Sequence, residues 1–284
     1  LLRLLKAPFK LIRSVWQSCA VIRSFKPDVV LGMGGFASGP GGIAAKLCGV
    51  PLVLHEQNAV AGLTNRYLAK IANEVMVAFD SALVAHTPQV IGNPVRRDII
   101  DLGSRNFVSK DMVNLLVVGG SLGAKVLNDT LPHALSLLDD QAISIKHQVG
   151  KGNSQQVLND YNGAANVEVK DFIDDMASAY QWADIVVCRA GALTVSELAV
   201  LGIPAILVPL PYAVDDHQTK NASVLSNVGA GVILAQSAMT AATLAQQIKQ
   251  MIEPQTRRTM TGATSKLAKL DATEQVAQVC AQLA

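Results

Sequence analysis

The residues best suited to chemistry in this sequence lie in the stretch 183–197, where a buried strand is predicted to run directly into a helix. Residues 185–187 form a β-branched run typical of a buried strand, and the small residues 190–192 follow it. Apolar residues then recur at helical spacing from Leu193 onward. Because backbone N–H groups at a helix start are unpaired and the helix dipole attracts negative charge, this pattern predicts a site for a phosphate.

Three polar side chains near the start of this helix extend the prediction to a nucleotide. Thr194 and Ser196 add hydroxyl donors, and the carboxylate of Glu197 could accept hydrogen bonds from both hydroxyls of a ribose. The alternative is an ordinary strand–helix unit in which Ser196 and Glu197 only cap the helix. Strand–glycine–helix patterns are common, so this stretch alone leaves both interpretations open.

Two further glycine-rich stretches follow predicted strands. Residues 32–42 contain six glycines after the strand 28–31, and residues 119–124 follow the strand 113–118. Such loops usually let a ligand approach the backbone closely, although residues 32–42 could also form a loop that only needs positive φ angles.

Polar residues also follow the strand predicted at 51–54, where the sequence reads His-Glu-Gln-Asn at 55–58. Open α/β sheets bind ligands at the carboxyl ends of their strands, so these side chains are candidates for a binding site. The acidic pairs at 174–175 and 215–216 are interpreted as helix N-terminal residues rather than metal ligands.

Strands and helices alternate along the chain, which predicts parallel sheets with helices on both faces. The strands are predicted at 28–31, 51–54, 75–79, 113–118, 143–148, 167–169, 185–187 and 203–208. The helices are predicted at 1–26 with a break or restart at Pro8, 43–48, 62–71, 125–138, 174–182, from 193, 215–228 and 271–281, and the rest of the C-terminal part is also expected to be helical.

Two strand–helix series, each with its own glycine loop, predict an α/β fold of two doubly wound, Rossmann-like domains with a ligand cleft between them. The turn at Asn93-Pro94 is the expected boundary. The domains are therefore predicted at 1–93 and 94–270, with the C-terminal helix 271–284 packing back on the first domain.

Composition excludes several classes of protein. The 284 residues are 50% hydrophobic and 16% charged, which predicts a sizeable core rather than disorder, and a net charge of +2 argues against nucleic-acid binding through bulk charge. The four cysteines form no CxxC pair and the five histidines form no HExxH motif, so no metal site is indicated and a reducing compartment is expected. No run of eighteen apolar residues is present.

Residues 1–27 contain six basic residues and no acidic one. The helix predicted over 1–26 carries an apolar stripe at spacings of three or four, formed by Leu5, Phe9, Ile12, Trp16 and Cys19. One interpretation is a helix that faces the core and exposes a basic side. The other is a surface that meets anionic lipid.

Six sequence strings occur in a fixed order over almost the whole chain, and together they are more specific than any one alone. They are GGFASGP (34–40), HEQN (55–58), GNPVR (92–96), GGSLGA (119–124), DFIDDM (171–176) and RAGALTVSE (189–197). With these strings the sequence resembles the MurG family of bacterial peptidoglycan glycosyltransferases.

The resemblance implies a GT-B fold and an inverting transfer of N-acetylglucosamine from its uridine diphosphate (UDP-GlcNAc) to the C4 hydroxyl of undecaprenyl-diphospho-N-acetylmuramoyl-pentapeptide, a step in peptidoglycan synthesis. It implies a peripheral protein on the cytoplasmic face of the inner membrane. The expected partners are the two substrates, an anionic membrane surface and other cell-wall synthesis proteins, but no nucleic acid. No cofactor or tightly bound metal is expected.

The same resemblance implies roles for single residues. Glu197 would hold the ribose, Ile173 would meet uracil through its backbone, and Gln218 would hold sugar hydroxyls. The residues expected around the diphosphate or the sugar are Ser121, Ala192, Leu193, Thr194, Val195 and Ser196. Asn58 and Arg96 would line the cleft from the other side.

The sequence departs from the family pattern at two places. The family begins with a strand and a glycine-rich loop ending in histidine, which is thought to help receive or activate the acceptor, whereas this sequence begins at Leu1 without that motif. We therefore expect an incomplete first sheet, and retained UDP affinity with little transfer. The second departure is Phe36, where the family often has tyrosine.

Among the residues present, Glu56 is the best candidate for an acceptor-side base, with a structural role in holding its loop as the alternative. Two other functions stay open beside the transferase: a non-catalytic two-lobed protein that binds a nucleotide sugar, and another GT-B enzyme such as a UDP-sugar epimerase. An epimerase would be expected to offer several buried carboxylates in the cleft, and the sequence offers few.

Overall fold

The computed structural model describes residues 2–80, 88–104, 107–138, 142–164, 166–212 and 214–284, and the side chains of residues 2–7 and of Val214 lie outside this description. The predicted stripe residue Leu5 is among these side chains. The chain divides into two compact units, one of Leu1–Pro94 with Asp271–Ala284 and the other of Val95–Leu270.

The first unit is a parallel sheet of four strands in the order β1-β2-β3-β4. Its elements are α1 (Leu2–Phe25), β1 (Val30–Gly32), α2 (Gly35–Cys48), β2 (Leu52–Glu56), α3 (Leu63–Leu68), β3 (Glu74–Val77), β4 (Gln89–Val90) and the last helix of the chain, α12 (Ala272–Leu283). Leu52 and Leu54 pack into one core with α1, α2 and α3, while Val53 packs with Val276 and Val279 of α12 on the other face.

The second unit is a parallel sheet of six strands in the order β10-β9-β8-β5-β6-β7. Its first elements are α4 (Arg97–Ile100), β5 (Val113–Val118), α5 (Lys125–Leu135), β6 (Ile143–Gln148), α6 (Ser154–Asp160), β7 (Val167–Lys170), α7 (Met176–Trp182) and β8 (Ile185–Cys188). The others are α8 (Ala192–Leu201), β9 (Ala205–Leu207), α9 (His217–Asn227), β10 (Gly231–Ile233), α10 (Ala241–Ile252) and α11 (Pro254–Thr264). The predicted α/β class with two parallel-sheet domains is confirmed.

The glycine-rich stretch of the first unit differs from its prediction as a loop. Only Gly34 and Gly35 have positive φ angles, of 82° and 76°, and the chain from Gly35 onward is already α2. A Cβ at Gly42 would lie 2.8 Å from Leu68 Cδ1 and 3.2 Å from Leu52 Cδ2. The glycine therefore lets α2 pack closely against α3 and the sheet.

Helix α1 is continuous through Pro8, so the predicted break is absent. A proline removes one backbone donor, and here the remaining hydrogen bonds of a 24-residue helix outweigh that loss. The prediction of a wholly helical C-terminal part is also wrong, because Gly231–Ile233 adds strand β10 beside β9. Three residues are too few to show a strand period, and the absence of a side chain at Gly231 permits close approach to Ala205.

We predict that Gly42→Ala destabilises the protein by about 1–2 kcal/mol in urea unfolding, since the new methyl group overpacks against buried leucines. Gly41→Ala is the matched control, because a Cβ there meets nothing within 4 Å. Alanine should stabilise the helix at that position by about 0.5–1 kcal/mol relative to glycine. Equal effects of the two substitutions would contradict the packing role of Gly42.

Candidate functional site

The strands of the second unit end level with one another, which gathers their loops at one edge of the sheet. Val118 of β5 is in register with Gln148 of β6 and with Cys188 of β8. Gln148 is in register with Lys170 of β7, and Cys188 with Leu207 of β9. The loops that follow five neighbouring strands therefore emerge together, and four of them carry residues predicted for donor binding.

The start of α8 has the geometry predicted for an anion site. Gly191 precedes the helix in an extended conformation, and the first hydrogen bond of the helix runs from Val195 N to Gly191 O at 2.9 Å. The amides of Leu193 and Thr194 precede that bond, so they have no acceptor within the helix and are oriented toward its N-terminal end. Leu193 is 47% exposed and Thr194 is half-buried, which places this turn at the surface.

Two residues predicted for this site point inward instead. Val195 is fully buried, and Ser196 is 7% exposed with its Oγ donating to Ala192 O at 3.0 Å within the same helix. The Ser196 hydroxyl thus donates within the helix in this structure, and its role toward a ligand stays a prediction. On a helix, residues 195 and 196 turn away from the face that 193, 194 and 197 share, because successive residues are 100° apart.

Glu197 is held by a residue that the sequence reasoning missed. Tyr180 of α7 is 1% exposed, and its hydroxyl donates to Glu197 Oε2 at 2.9 Å. Burial raises the pKa of Glu197, while the hydrogen bond from Tyr180 and the positive charge of Arg96 act to lower that pKa. A buried tyrosine hydroxyl needs a hydrogen-bond partner. The only signal in the sequence was therefore a tyrosine at position 180 of a predicted helix, which does not identify Glu197 as that partner.

Arg96 belongs to the same unit as Glu197, not to the opposite side as expected. It follows the unit boundary directly and forms a 3.8 Å ion pair with Asp98. The pKa of Asp175 is lowered mainly by the hydrogen bonds from Ser178, and the charge of Arg96 lowers it further by a smaller amount. Asn58, the other residue predicted for that side, lies in the first unit.

The glycine loop 119–124 is shaped by close backbone packing. A Cβ at Gly119 would lie 2.7 Å from Ala124 N, and one at Gly123 would overlap Val149 O. Gly123 also has a φ of 73°, which other residues rarely adopt. The loop presents Ser121 and the 93% exposed Leu122 to solvent just before α5 begins.

Ile173 lies beside a cavity of about 480 Å³ at the β7 side of the sheet. Asp175 closes one end of it as the N-cap of α7, accepting from Ser178 N at 2.9 Å and from Ser178 Oγ at 2.6 Å. The interpretation of this acid as a helix N-terminal residue agrees with that contact. The charged side chains that line the cavity are Lys146, Glu168, Lys170, Asp174 and Asp175.

Gln218 connects α9 to the loop after β9. Its Oε1 accepts from Leu210 N at 2.9 Å. Asp215 and Asp216, which precede it, have left-handed backbones with φ angles of 55° and 52°. Asn221 is fully buried, and its Nδ2 donates to Ala190 O at 3.2 Å, so α9 is also attached to the turn before α8.

In the first unit, Glu56 has the contacts of a residue that holds a loop. It is 4% exposed, and Oε1 accepts from Asn58 N at 2.9 Å and from Asn58 Nδ2 at 3.3 Å. Oε2 accepts from Gly62 N at 3.2 Å and from Asn65 Nδ2 at 2.9 Å. Both oxygens are engaged by the protein, so the geometry favours the structural alternative over an acceptor-side base.

The hydrogen bonds of Glu56 fix the position of Asn58, one of the predicted binding residues. Two neighbouring bonds lie within the first unit, from Asn93 Nδ2 to Gln57 O at 3.0 Å and between His55 Nε2 and Gly92 O at 2.9 Å. Among the described residues, no three His, Cys, Asp or Glu side chains are grouped so that they could hold a metal ion.

We predict that the raised pKa of Glu197 makes the wild type lose stability with rising pH relative to Glu197→Gln. In the folded protein, Glu197 keeps its proton at pH values above its ordinary pKa of 4.5. The stability gained from this proton is complete below pH 4.5 and is lost as the pH rises through the folded-state pKa. Chemical unfolding of both proteins between pH 4 and pH 7 measures the difference. A difference that is flat or has the opposite slope would contradict the burial of this carboxyl.

Comparison with known proteins gives matches along the chain. The model of the glycosyltransferase family 28 N-terminal domain matches residues 1–77, and that of the family 28 C-terminal domain matches residues 114–276. A relative from Shewanella sp. (strain ANA-3) is 53% identical over 290 residues, covering 100% of this chain and 80% of its own length. One from Shewanella sediminis is 52% identical over 291 residues with the same coverage. Both are named UDP-N-acetylglucosamine–N-acetylmuramyl-(pentapeptide) pyrophosphoryl-undecaprenol N-acetylglucosamine transferase.

Solved structures agree with these matches. Acinetobacter baumannii MurG has a TM-score of 0.85 at 40% identity, over 97% of this chain and 79% of that one. Staphylococcus aureus MnaA with UDP has a TM-score of 0.71 at 15% identity, over 95% of this chain and 80% of that one, which shows a shared fold only. The family models and the identity over the full chain show that this chain belongs to glycosyltransferase family 28 and, within it, to the MurG proteins.

Proposed function

We propose that this chain transfers N-acetylglucosamine from UDP-GlcNAc to the C4 hydroxyl of undecaprenyl-diphospho-N-acetylmuramoyl-pentapeptide, with inversion. The observation that carries the proposal is the pairing of an exposed helix start at α8 with Glu197, which the buried Tyr180 holds one turn along the same helix. The names of the transferases that are 53% identical over the full chain support the same reaction.

The donor is bound through four groups of the second unit. Glu197 accepts hydrogen bonds from the ribose hydroxyls, and the amides at the start of α8 hold the diphosphate together with Ser121. Ile173 meets the uracil through its backbone beside the 480 Å³ cavity. Gln218, held against Leu210 N, lies at the neighbouring strand end and binds sugar hydroxyls.

Transfer requires the diphosphate to leave as the acceptor oxygen attacks the anomeric carbon. Negative charge develops on the leaving diphosphate, and helix N-termini and loop amides stabilise such charge without reorganising. A base must also remove the acceptor proton. We assign Glu56 to positioning, because it orders the segment 58–65 that carries Asn58, and Asn58 to the acceptor side.

The alternative of a UDP-sugar epimerase has weaker support. The structure of a putative UDP-N-acetylglucosamine 2-epimerase from Listeria monocytogenes has a TM-score of 0.71 at 13% identity, a likeness in fold alone. A non-catalytic binding protein would make the same contacts with the donor, but it would not carry out the reaction for which the 53% identical relatives are named. Transfer of labelled N-acetylglucosamine to a lipid-linked muramoyl acceptor distinguishes the transferase from the other two: the transferase forms the labelled disaccharide product, and absence of that product would contradict the proposal.

We also propose that the protein acts as a peripheral protein on the cytoplasmic face of the inner membrane, docking through α1. The stripe residues Phe9, Ile12 and Trp16 are 76%, 67% and 71% exposed, so they do not face the core as the first interpretation expected. Cys19, the last residue of the stripe, does face the core and is 6% exposed. In the described ranges, no helix has the length and apolar composition of a membrane span.

The neighbourhood of this stripe suits a lipid surface. An apolar groove of about 620 Å³ between α1 and α2 is lined by Leu11, Ile12, Val15, Trp16, Cys19, Arg23, Ile43 and Leu47. Four basic side chains on or directly after the described part of α1, Lys10, Arg13, Arg23 and Lys26, complement anionic headgroups.

We predict that Glu197→Ala weakens UDP binding by at least about 10- to 100-fold, the factor that follows from losing one hydrogen bond to a charged group, which is worth roughly 1.5–3 kcal/mol. Calorimetry with UDP and with 2′-deoxy-UDP isolates the ribose contact: the wild type should prefer UDP, and the variant should bind both equally. Glu253→Ala is the control, since it removes an exposed carboxylate elsewhere in the same unit. Unchanged UDP affinity in Glu197→Ala would refute the ribose assignment.

We predict that Ile12→Ser with Trp16→Ser reduces sedimentation with vesicles of any charge, whereas Lys10→Gln with Arg13→Gln reduces it only with anionic vesicles. Each basic residue near an anionic surface contributes about 1 kcal/mol, screened by salt. Leu122→Ser is the control, because it removes a 93% exposed apolar side chain from the other unit. Equal binding to neutral and anionic vesicles, or binding to neither, would contradict electrostatic docking.

A further inference from the structure

The side chain of Gln148 connects two loops of the donor site and contacts no residue predicted to touch the donor. Gln148 is the last residue of β6 and is 2% exposed. Its Oε1 accepts from Gly120 N at 3.0 Å, and its Nε2 donates to Gly120 O and to Asp171 O, both at 2.9 Å. A carboxamide supplies two donors and an acceptor in one plane, so this residue type suits all three contacts.

The first loop that Gln148 holds is the glycine loop 119–124, and it is held at Gly120. Gly119 and Gly123 are fixed by close contact with Ala124 and Val149, but a Cβ at Gly120 would meet nothing within 4 Å. Gly120 also has a φ of 82°. Three hydrogen bonds hold its backbone: two are made with the side chain of Gln148, and one runs from Gly123 N to Gly120 O at 2.9 Å.

The second loop begins at Asp171, two residues before Ile173. The carbonyl of Asp171 accepts from Gln148, while its carboxylate accepts from Gly152 N at 2.8 Å and Ser154 N at 3.0 Å at the start of α6. These bonds hold the pKa of Asp171 below its ordinary value, so the carboxylate stays charged. The loop that carries Ile173 is thus attached to Gln148 on one side and to α6 on the other.

We propose that Gln148 is a positioning residue that couples the loop for the diphosphate to the loop for the nucleobase, so that ordering one orders the other. The inference rests on the proposed function, because that function places Ser121 and Ile173 against the two ends of UDP. Gln148 itself touches no ligand. It acts by fixing Gly120, next to Ser121, at a constant distance from Asp171.

Gln148→Met tests the coupling, because it keeps the length of the side chain and removes all three hydrogen bonds. Calorimetry should show UDP binding about 10-fold weaker, because the ligand must then order the two loops that Gln148 orders in the wild type. Uridine, which lacks the diphosphate, should lose a smaller factor. A purely structural defect would instead lower the fraction of protein that binds while leaving the dissociation constant unchanged.

Asn114→Leu is the matched control. Asn114 lies on β5 near the opposite end of the sheet, and its Nδ2 donates to Trp182 O at 2.9 Å. Its substitution removes an amide contact to a backbone carbonyl in the same sheet, so it should affect stability without changing UDP affinity. Equal dissociation constants for the wild type and Gln148→Met, or equal losses in Gln148→Met and Asn114→Leu, would overturn the inference.

Hydrogen exchange on the wild type gives a second test that does not depend on a variant folding. Uridine should slow exchange at the amides of 171–173 and also at Gly120, although uridine does not reach the glycine loop. Protection confined to 171–173 would overturn the coupling. Failure of the wild type to bind UDP at all would overturn the proposed function and this inference with it, whereas UDP binding that is indifferent to Gln148 would overturn the inference alone.

Discussion

The hydrogen bond from Tyr180 to Glu197 is the interaction on which the candidate donor site depends. It joins α7 to α8 and directs a largely buried carboxylate beside the first turn of α8. Burial opposes the charged form of Glu197, and the tyrosine hydroxyl and Arg96 offset part of that cost. A carboxylate that is already held by a hydrogen bond needs little further ordering when ribose hydroxyls arrive, which favours tight and specific binding.

Around this interaction, the site is built from strand ends that the parallel sheet brings to one edge. The registers of β5, β6, β7, β8 and β9 place the five loops side by side, and buried amides then connect the loops. Gln148 links the loop after β5 to the loop after β7, while Asn221 links α9 to the turn before α8. Such satisfied buried amides specify loop positions more sharply than apolar packing does. The loops of the site are therefore joined to one another by hydrogen bonds as well as by the sheet.

The sequence predicts the strands of this edge well because they are buried and rich in β-branched and aliphatic residues. The strands 113–118 and 143–148 match their predicted bounds. Prediction failed where tertiary contacts decide the outcome. The glycines of α2 indicated a loop by propensity, yet Gly42 is helical, and it is a glycine because Leu52 and Leu68 leave no room for a side chain there.

The site residues show the same division. The start of α8 and the place of Glu197 follow from spacing alone, since a strand, a small turn and a helical period are local features. The partner of Glu197 does not, because Tyr180 is seventeen residues away and its contact is tertiary. The inward direction of Ser196 and the four hydrogen bonds that Glu56 accepts are likewise visible only in the fold.

A crystal structure of this chain with UDP tests the central claim most directly. The account predicts the ribose hydroxyls within hydrogen-bonding distance of the Glu197 carboxylate, the diphosphate at the amides of Leu193 and Thr194, and the uracil beside Ile173. Tyr180 should keep its hydrogen bond to Glu197 in that complex. A nucleotide bound elsewhere, or one whose ribose does not meet Glu197, would contradict the account.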